Sequence, residues 1–581
     1  MVNYPLQLWW FVLSLIGVCT LLHGGSLVRR YWRLRRARLA LLAGESQKEG
    51  EPEQEGRQDA SSWRHLSASI STVWKVVLYR STLPISWDYQ KRMSVAELLF
   101  CGGYLLACLT WAFVLSTTGN GPVDFANRNA WIALWQTPLV VGLAGKNNIA
   151  SFLTGVGPEK LNILHRAAGR TLLILACAHA FGRYQIGLSG PHAIYQPIMI
   201  WGVVALTSFA LTTVLGIRWF RAQHYELFLC SHIVLVFLFL LGAYLHQPPY
   251  YYQWIYPSFA LWAADRLARL FHLLIFNPWL PRSCRAHVQA LSDCTLRVTL
   301  QRRMRWRAGQ HAYLLLPFVS RLPWEAHPFT VASLRSPSAS GAGGGGGNEL
   351  VFLVRARDGF TRRLMARALK EGGECDVTAL VDGAYGAPPR LEEYQTVVLI
   401  AGGSGVSYCL PLLASVVAGK GLTKKVLFAW VVRRETHLGW IADELAAIVR
   451  AVPAGLQVEI RLYVTNSGKP SPTRMGSFTT IESASLAGAI PDAEAAATDM
   501  HGVAALVRLP QVTLAEGRPE VHGLIKQAVE GASGPVSVGV CGPSGLSNAV
   551  TTVLTTKDVI SWGNALRGAP VVDLHVETFG W

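Results

Sequence analysis

Charged side chains are scarce in this sequence of 581 residues, since Asp, Glu, Lys and Arg together make up 15% of it, whereas 51% is hydrophobic. A disordered chain needs many charges and few apolar residues, so that class is excluded. The length excludes a single small domain. The mean hydropathy of +0.28 indicates that part of the chain crosses a membrane.

Acidic residues are scarcer still. The chain has 36 Asp and Glu against 53 Lys and Arg, which leaves a formal net charge of +17. Such an excess is typical either of a nucleic-acid-binding face or of the cytosolic loops of a membrane protein. Many of the Lys and Arg residues adjoin apolar runs, which favours the second interpretation. We therefore expect membrane lipid, and no nucleic acid, as a partner of this chain.

A cysteine framework is also missing. The ten cysteines form no C-x-x-C pair, so the sequence contains no zinc-type or thioredoxin-type motif. Their positions indicate no disulfide framework, and five of them lie in the polar C-terminal half. We therefore expect that half of the chain in a reducing compartment.

Long apolar runs are concentrated in the part of the chain before Asn277. The run at 7–22 has no basic segment before it and a cluster of arginines after it. It predicts an uncleaved span with its N-terminus outside, with cleavage near Gly24–Gly25 as the alternative. Residues 44–60 predict a flexible cytoplasmic loop, and the Lys and Arg of the short loops place the C-terminal half in the cytosol. Six further spans of roughly 20 residues are predicted at 95–116, 130–150, 161–183, 196–217, 225–246 and 253–275.

Two of these predicted spans carry two histidines each, with equal spacing. His179 follows His165 by fourteen positions, and His246 follows His232 by the same number. This spacing is close to four helical turns, so each pair shares one helix face about 21 Å apart along the axis. Because one span separates the two helices in the chain, they run parallel, and the four histidines are expected at two matching depths.

This arrangement predicts two stacked haems, each held by one imidazole from each helix. Two histidine ligands leave no open position on the iron, which favours electron transfer over oxygen binding. Arg170, about one and a third turns after His165, is expected to face a haem propionate. The alternative is a set of structural histidines that bond backbone carbonyls, and two equal spacings on parallel spans make it the weaker interpretation.

From residue 281 onward short β-like runs replace the apolar runs, and from residue 394 strands alternate with helices. The pattern predicts a β-barrel domain at 281–390 and an α/β nucleotide-binding domain at 391–581. An all-α membrane domain at 95–276 precedes them, and residues 1–94 hold the first span with its loop. Insertions are predicted at Ser336–Asn348, which contains the glycine run Gly343–Gly347, and at 466–520.

Short motifs mark the C-terminal half. His327, Pro328, Phe329 and Thr330 follow a β-like run, and the turn Gly402–Gly405 follows an apolar strand and opens a helical run. Such a turn holds a pyrophosphate on backbone amides at a helix N-terminus, although it is not the G-x-G-x-x-G pattern. Together with the paired histidines, these motifs resemble the ferric reductase and NADPH oxidase superfamily, and most of all the fungal plasma-membrane ferric reductases, over residues 95–581.

The resemblance implies a ferredoxin-reductase-like β-barrel that binds FAD, followed by an α/β domain that binds NADPH. In that family the His-Pro-Phe-Thr residues lie along the flavin ring and ribityl chain, where proline fixes the backbone and the threonine hydroxyl can bond a polar flavin edge. Arg355 and Thr361 match the stretch that binds the FAD pyrophosphate. Gly383 matches a turn in which Ala384 here replaces the family's proline.

The same resemblance implies an NADPH site. Arg433 and Arg434 either bind the 2′-phosphate or form a solvated basic turn. A terminal aromatic residue covers the flavin in the family, and here that residue is Trp581 or, less favoured, Phe579. A buried structural cysteine is the alternative interpretation of Cys541. The remaining residues implied are Gly402, Gly403 and Gly405 at the pyrophosphate, and Cys541, Gly542 and Pro543 beside the nicotinamide.

Together these parts imply an NADPH-dependent ferric-chelate reductase. Electrons would pass from cytosolic NADPH through FAD and two haems b to Fe(III) chelates or siderophores, or to Cu(II), outside the cell, for iron uptake. The plasma membrane is the expected location and the vacuolar membrane the alternative. A superoxide-generating NADPH oxidase shares every cofactor, and a transporter or channel with a regulatory nucleotide-binding domain is a third hypothesis. Whether an iron permease or a multicopper oxidase takes the product stays open.

Overall fold

The structure is a computed structural model that divides into two units, and each is described by itself. The first unit combines Val95–Leu270 with the start of the chain up to Val28, and the second combines Arg29–Ser94 with Phe271–Gly580. The residues described are 4–44, 74, 77–78, 82–84, 92–114, 121–247, 249–277, 284–292, 294–334, 348–419, 421–466, 501–532, 534–556, 559 and 571–577.

Seven long helices lie among the described residues that precede Pro278, and each covers most of one predicted span. The helical N-terminal region of the predicted fold is therefore confirmed. Two shorter helices, Ile149–Thr154 and Arg218–Gln223, lie between them. The long helices are α1 (Tyr4–Gly44), α2 (Val95–Phe113), α3 (Pro122–Ala144), α4 (Pro158–Ile186), α5 (Pro197–Leu215), α6 (Tyr225–His246) and α7 (Tyr256–Phe276).

Four helices in the described part of the chain are long and apolar enough to cross a membrane by length and composition. They contain or lie within α1, α2, α5 and α6. The other three, α3, α4 and α7, are 23, 29 and 21 residues long but carry more polar and charged side chains. Several apolar helices in succession are consistent with a multi-pass membrane protein.

Two helices differ in length from the predicted spans. α1 continues past residue 22 through the arginine cluster, because Arg, Leu and Ala are good helix formers and no proline interrupts that segment. α3 begins at Pro122 rather than at 130, since a proline in the first helical turn lacks only an N–H that would be unpaired. It ends before Gly145, and the Asn148 side chain then caps the next short helix by accepting the Ala150 N–H at 2.8 Å.

Close backbone contact joins the helices in pairs, α3 with α4 and α5 with α6. A methyl group on Gly182 of α4 would lie 2.9 Å from the Ala126 Cβ of α3. A methyl group on Gly242 of α6 would lie 2.9 Å from the Trp201 carbonyl oxygen of α5. Small residues pack helices in membranes, because lipid provides no hydrophobic force between them. The contacts fix the depth of each helix relative to its partner.

The second unit contains a short antiparallel hairpin, β1 (Thr82–Pro84) with β2 (Arg92–Ser94), and then an antiparallel β domain after α7. This domain has a four-stranded sheet in the order β7-β4-β3-β8 and a three-stranded sheet in the order β6-β5-β9, packed around one core. Helix α8 (Gly359–Lys370) follows β7. The strands are β3 (Arg285–Ser292), β4 (Thr295–Arg302), β5 (His311–Leu315), β6 (Ala326–Thr330), β7 (Asn348–Arg355), β8 (Glu374–Thr378) and β9 (Leu380–Tyr385).

The last domain is a parallel sheet in the order β13-β12-β11-β10-β14-β15. The chain adds strands on one side of β10 and then, from β14, on the other, so β10 and β14 form the point where the strand order reverses. Ligands of such sheets bind beyond the carboxyl ends of the strands at this point. The elements are β10 (Thr396–Gly402), α9 (Val406–Ala418), β11 (Lys425–Val432), α10 (Ala442–Arg450), β12 (Gln457–Val464), β13 (Val512–Glu516), α11 (Val521–Glu530), β14 (Val536–Cys541), α12 (Ser544–Val553) and β15 (Val572–Glu577).

The end of the stretch 466–520 was wrongly predicted as an insertion. Residues 501–507 are helical, and β13 is the edge strand of the parallel sheet. Only the first residue of β13, Val512, is buried, and Val512 and Leu514 alone give too short an alternation to predict a strand. The glycine run Gly343–Gly347 and the predicted loop beyond Gly44 lie outside the described residues.

Candidate functional site

The four histidines of the membrane unit come together as two pairs. His165 of α4 and His232 of α6 have ring centres 6.4 Å apart. His179 and His246, on the same two helices, have ring centres 6.1 Å apart. Because each helix advances about 21 Å between its two histidines, the second pair repeats the first at another depth.

Three of the four rings are oriented by a backbone carbonyl at the Nδ1 atom. A carbonyl oxygen only accepts, so each of these Nδ1 atoms carries the proton and each Nε2 keeps its lone pair. Nδ1 of His232 is buried and has no hydrogen-bond partner among the described residues. The carbonyl partners are Val140 for His165 at 2.8 Å, Ala126 for His179 at 2.8 Å and Ile198 for His246 at 2.6 Å.

The histidine pairs fit haem iron. Metal–nitrogen bonds of about 2 Å on opposite sides of one metal atom would put two imidazole centres roughly 6 Å apart, which is the separation of each pair. Across the part of the chain that the structure describes, no group of three or more His, Cys, Asp or Glu side chains could hold a metal ion. Each pair would instead offer two nitrogen donors, one from α4 and one from α6, to the iron of a haem.

Helix α5 makes room for one of these rings. A methyl group on Gly202 would lie 2.7 Å from the ring atoms Nδ1 and Cε1 of His246, so the ring lies directly against the α5 backbone. Sequence reasoning missed Gly202, since α5 itself carries no ligand, and a glycine inside an apolar span was the available signal. Arg170 follows His165 on α4 and is exposed.

The strand β6 carries the His-Pro-Phe-Thr residues and pairs with β5. Side chains alternate along a strand, so His327 and Phe329 lie on one side and Pro328 and Thr330 on the other. The His327 and Phe329 rings stack with the buried Phe360 ring of α8, at centroid distances of 4.4 and 6.3 Å. The motif is thereby joined to the first turn of α8.

The residues matched to a pyrophosphate site lie at the start of α8. Arg355 ends β7 and is exposed. The Thr361 hydroxyl accepts the Arg357 N–H at 3.0 Å and donates to the Asp358 carbonyl at 3.2 Å, which closes the loop before the helix. The N–H groups of a first helical turn have no partner within the helix and bind anions readily.

Gly383 lies in β9, the neighbour of β5. Its φ is +145°, and a methyl group on it would lie 3.2 Å from the Ala312 Cα of β5. Both the backbone conformation and the close approach therefore favour glycine at this position.

Two glycine turns meet where the order of the parallel strands reverses. Gly402 ends β10, and a methyl group on it would lie 2.7 Å from Cδ of Pro543 in the turn after β14. A methyl group on Gly405 would collide with the Cys541 carbonyl oxygen, and Gly403 has a φ of +56°. These turns and the start of α9 form one surface of backbone amides at the site that the sheet topology favours.

Gly542 and Cys541 complete this edge of the sheet. Gly542 packs on Gly402, where a methyl group would lie 3.0 Å from the Gly402 Cα. Cys541 is fully buried, and this burial, with smaller effects of Cys409 and Glu577, raises the pKa of its thiol well above the usual value. The thiol is therefore neutral at physiological pH.

Of two further pairs of predicted site residues, the structure describes the two arginines but not the two C-terminal aromatic residues. Arg433 and Arg434 directly follow β11 at the carboxyl edge of the sheet and are exposed. Phe579 and Trp581 lie outside the described residues.

Trp430 is a residue of this site that sequence reasoning missed. It is fully buried in β11, and its Nε1–H donates to the Gly403 carbonyl at 3.0 Å. A tryptophan within a largely apolar strand was the available signal, because a buried indole N–H needs an acceptor. Trp430 thus fixes the glycine turn from the neighbouring strand.

Three family models match the chain, one after another. The model named ferric reductase like transmembrane component matches residues 129–243. This stretch contains His165, His179 and His232, and His246 lies just beyond it. The FAD-binding domain matches residues 282–389, and the ferric reductase NAD binding domain matches residues 394–554.

Curated relatives carry related names. The chain is 30% identical over 351 residues to the probable cell surface ferric reductase kap2 of Aspergillus oryzae. This alignment covers 57% of this chain and 46% of the relative. It is 29% identical over 433 residues to the ferric/cupric reductase transmembrane component 2 of Saccharomyces cerevisiae. This alignment covers 72% of this chain and 57% of the relative. The chain thus spans about half the length of these relatives.

A solved structure also matches part of the chain. It is a ferredoxin NADP+ reductase from Neisseria gonorrhoeae with bound FAD and NADP, 14% identical, with a TM-score of 0.30. The match covers 51% of this chain and 97% of that chain.

Proposed function

Because the chain belongs to the ferric reductase family by its three matched domains, we propose that it is a transmembrane metal reductase. It takes electrons from cytosolic NADPH and delivers them to Fe(III), held in chelates or siderophores, or to Cu(II), outside the cell. When bound, FAD divides the two electrons of a hydride into single-electron steps, and two haems b carry single electrons across the membrane. The names of the relatives, ferric and ferric/cupric reductases, support a metal ion as the acceptor.

The paired histidines carry this proposal. His165 with His232 would hold the iron of an inner haem, and His179 with His246 that of an outer haem, through their Nε2 atoms. The two levels are about 21 Å apart along the helices, against a hydrocarbon core of about 30 Å, so together they cover most of the membrane. A single pair would leave most of that thickness without a carrier.

Residues of the second unit provide the cytosolic half of the path. In this proposal His327, Pro328, Phe329 and Thr330 bind the flavin, and Arg355 with Thr361 binds the FAD pyrophosphate. The glycine turn after β10 holds the NADPH pyrophosphate on backbone amides, and the turn after β14 lies beside the nicotinamide. The buried Cys541 thiol is neutral and provides an uncharged surface beside the nicotinamide.

The membrane potential supports an outward direction of transfer. Moving one negative charge outward across an inside-negative membrane is favoured by about 2.3 kcal/mol per 100 mV. The proposal places the protein in the plasma membrane, which the cell-surface name of one relative supports, and gives it a role in iron uptake. Transfer of the product to an iron permease or a multicopper oxidase is the corresponding proposal for the next step.

The test is made on membranes that contain the full chain, with NADPH on the nucleotide-binding side. We expect a reduced-minus-oxidised spectrum of a b-type haem and Fe(II) on the opposite side, detected with ferrozine. Superoxide without iron reduction would identify an NADPH oxidase instead. Absence of any haem band would exclude both redox functions and favour a transporter or channel.

A further inference from the structure

A buried carboxylate lies directly before the His-Pro-Phe-Thr strand, and no motif points to it. Glu325 is 9% exposed and lies two residues before His327. Its Oε1 atom is 2.6 Å from Nε2 of His327. Burial of a carboxylate is costly unless hydrogen bonds and opposite charge compensate it, so this contact is a specific feature of the site.

The second oxygen of Glu325 has its own partners. Oε2 accepts the backbone N–H of Arg321 at 3.2 Å and lies 3.6 Å from the Arg363 guanidinium of α8. Arg363 in turn donates from Nε to the Val319 carbonyl at 2.9 Å. Glu325 thereby joins three parts of the β domain: the loop before β6, the strand β6 itself and the helix α8.

These contacts determine how the His327 ring is held. A carboxylate only accepts hydrogen bonds, so Nε2 of His327 carries a proton and donates a hydrogen bond to Glu325. The ring plane is fixed separately by its stacking on Phe360, at 4.4 Å and 28° between the planes. The hydrogen bond to Glu325 sets the position and the tautomer of the ring, and the stacking on Phe360 sets its tilt. Neither contact uses Nδ1 of His327.

We propose that Glu325 is the positioning residue of the flavin site: by accepting from His327 and holding Arg363, it orients the His-Pro-Phe-Thr strand toward the first turn of α8, with Nδ1 of His327 free to bond FAD. This inference rests on the proposed function, because it assumes that FAD binds at β6. Glu325 itself need not touch the flavin. Its effect on FAD binding acts through His327 and Arg363.

Glu325→Gln is the sharpest substitution. Glutamine keeps the size of the side chain and one acceptor oxygen, but its amide NH2 group faces donors, either His327 or the Arg321 N–H with Arg363. The matched control is Glu371→Gln, which removes another carboxylate partner of an α8 arginine: Arg367 donates to Glu371 at 3.2 Å on the exposed side of the same helix.

The experiment uses the full chain in detergent, stripped of FAD and titrated with FAD while flavin fluorescence is followed. We expect Glu325→Gln to raise the Kd for FAD at least about tenfold, or about 1.4 kcal/mol, and Glu371→Gln to leave it unchanged. Thermal unfolding is measured with and without FAD. A positioning role reduces the gain in Tm caused by FAD while the Tm without FAD stays at the wild-type value.

Each other outcome overturns one specific claim. If the wild type binds no FAD, the proposed function fails. If the wild type binds FAD and Glu325→Gln binds it equally well, only the inference about Glu325 fails. A lower Tm without FAD, combined with an unchanged gain on FAD addition, would show a merely structural role. Should Glu325→Gln not fold, Glu325→Asp keeps the charge and shortens its reach, and an unaltered Kd in that variant would also contradict the inference.

Discussion

The membrane unit and the nucleotide-binding unit bring their site residues together in different ways. In the membrane unit, four histidines from α4 and α6 form pairs with ring centres 6.4 and 6.1 Å apart, and one repeated sequence spacing generates both. In the other unit, glycine turns after β10 and β14 touch although they lie far apart in the chain, because those strands are neighbours in the sheet. The histidine pairs follow from the repeated spacing along two helices, and the contact between the glycine turns follows from the order of the strands in the sheet.

The two sites also differ in what holds them. The histidine rings depend on single hydrogen bonds to carbonyls of neighbouring helices, and Nδ1 of His232 has no such bond among the described residues. The glycine turns depend on close packing, which leaves no space for a methyl group at Gly402, Gly405 or Gly542. The membrane site should therefore be sensitive to loss of a side chain, and the nucleotide site to addition of one. Substitutions on each side test this difference.

The largest effect is expected for His179→Ala. Removal of one of the two histidines that would hold the outer haem should weaken its binding by more than the roughly 10–100-fold that loss of a residue orienting a metal ligand costs. External iron reduction should disappear and about half of the haem absorbance should be lost, since one of two pairs remains. Reduction of a soluble dye by NADPH should persist, because it needs only the second unit.

His224→Ala is the control for that variant, since His224 is exposed at the end of a short helix and belongs to neither pair. It should retain both haem absorbance and external iron reduction. External reduction that survives in His179→Ala would show that the outer pair does not hold a carrier.

The reverse pattern is expected for Gly405→Ala. The added methyl group collides with the Cys541 carbonyl oxygen, and such overpacking costs about 1–3 kcal/mol. We expect kcat/KM for NADPH to fall at least about tenfold, which corresponds to about 1.4 kcal/mol, in both dye and iron reduction. Haem content should be unchanged, as the membrane unit is untouched.

Gly545→Ala provides the matched control in the same domain, because a methyl group there has no neighbour within 4 Å. Its kinetics should equal those of the wild type. An equal loss in both variants would mean that tight packing at the turn is not what the NADPH site needs.

The smallest effect is expected for the double change of Arg433 and Arg434 to alanine. Both side chains are exposed, and exposed charge contacts contribute about 0.2–1 kcal/mol each. The KM for NADPH should rise a few-fold while that for NADH stays the same. Arg450→Ala, at the exposed end of α10, serves as control. Equal changes with NADH and NADPH would favour the solvated basic turn.

The sequence predicted elements better than their connections. All seven apolar segments are helices, and the strand Val536–Cys541 has the bounds that its apolar run indicated. The edge strand β13 was missed, since its sequence has only two alternating apolar residues, Val512 and Leu514. Glu325, Trp430 and Gly202 were missed as well, because each acts on a residue of another element and none belongs to a motif.

The sequence by itself determined the spacing of the histidines, the glycine turns and the order of the domains, since these are local properties of a helix period or a strand end. Only the tertiary structure decided which carbonyl orients each histidine, that Glu325 lies between His327 and Arg363, and that the turns after β10 and β14 meet. Contacts of this kind depend on helix packing and strand order, which many sequences with the same local pattern could satisfy differently.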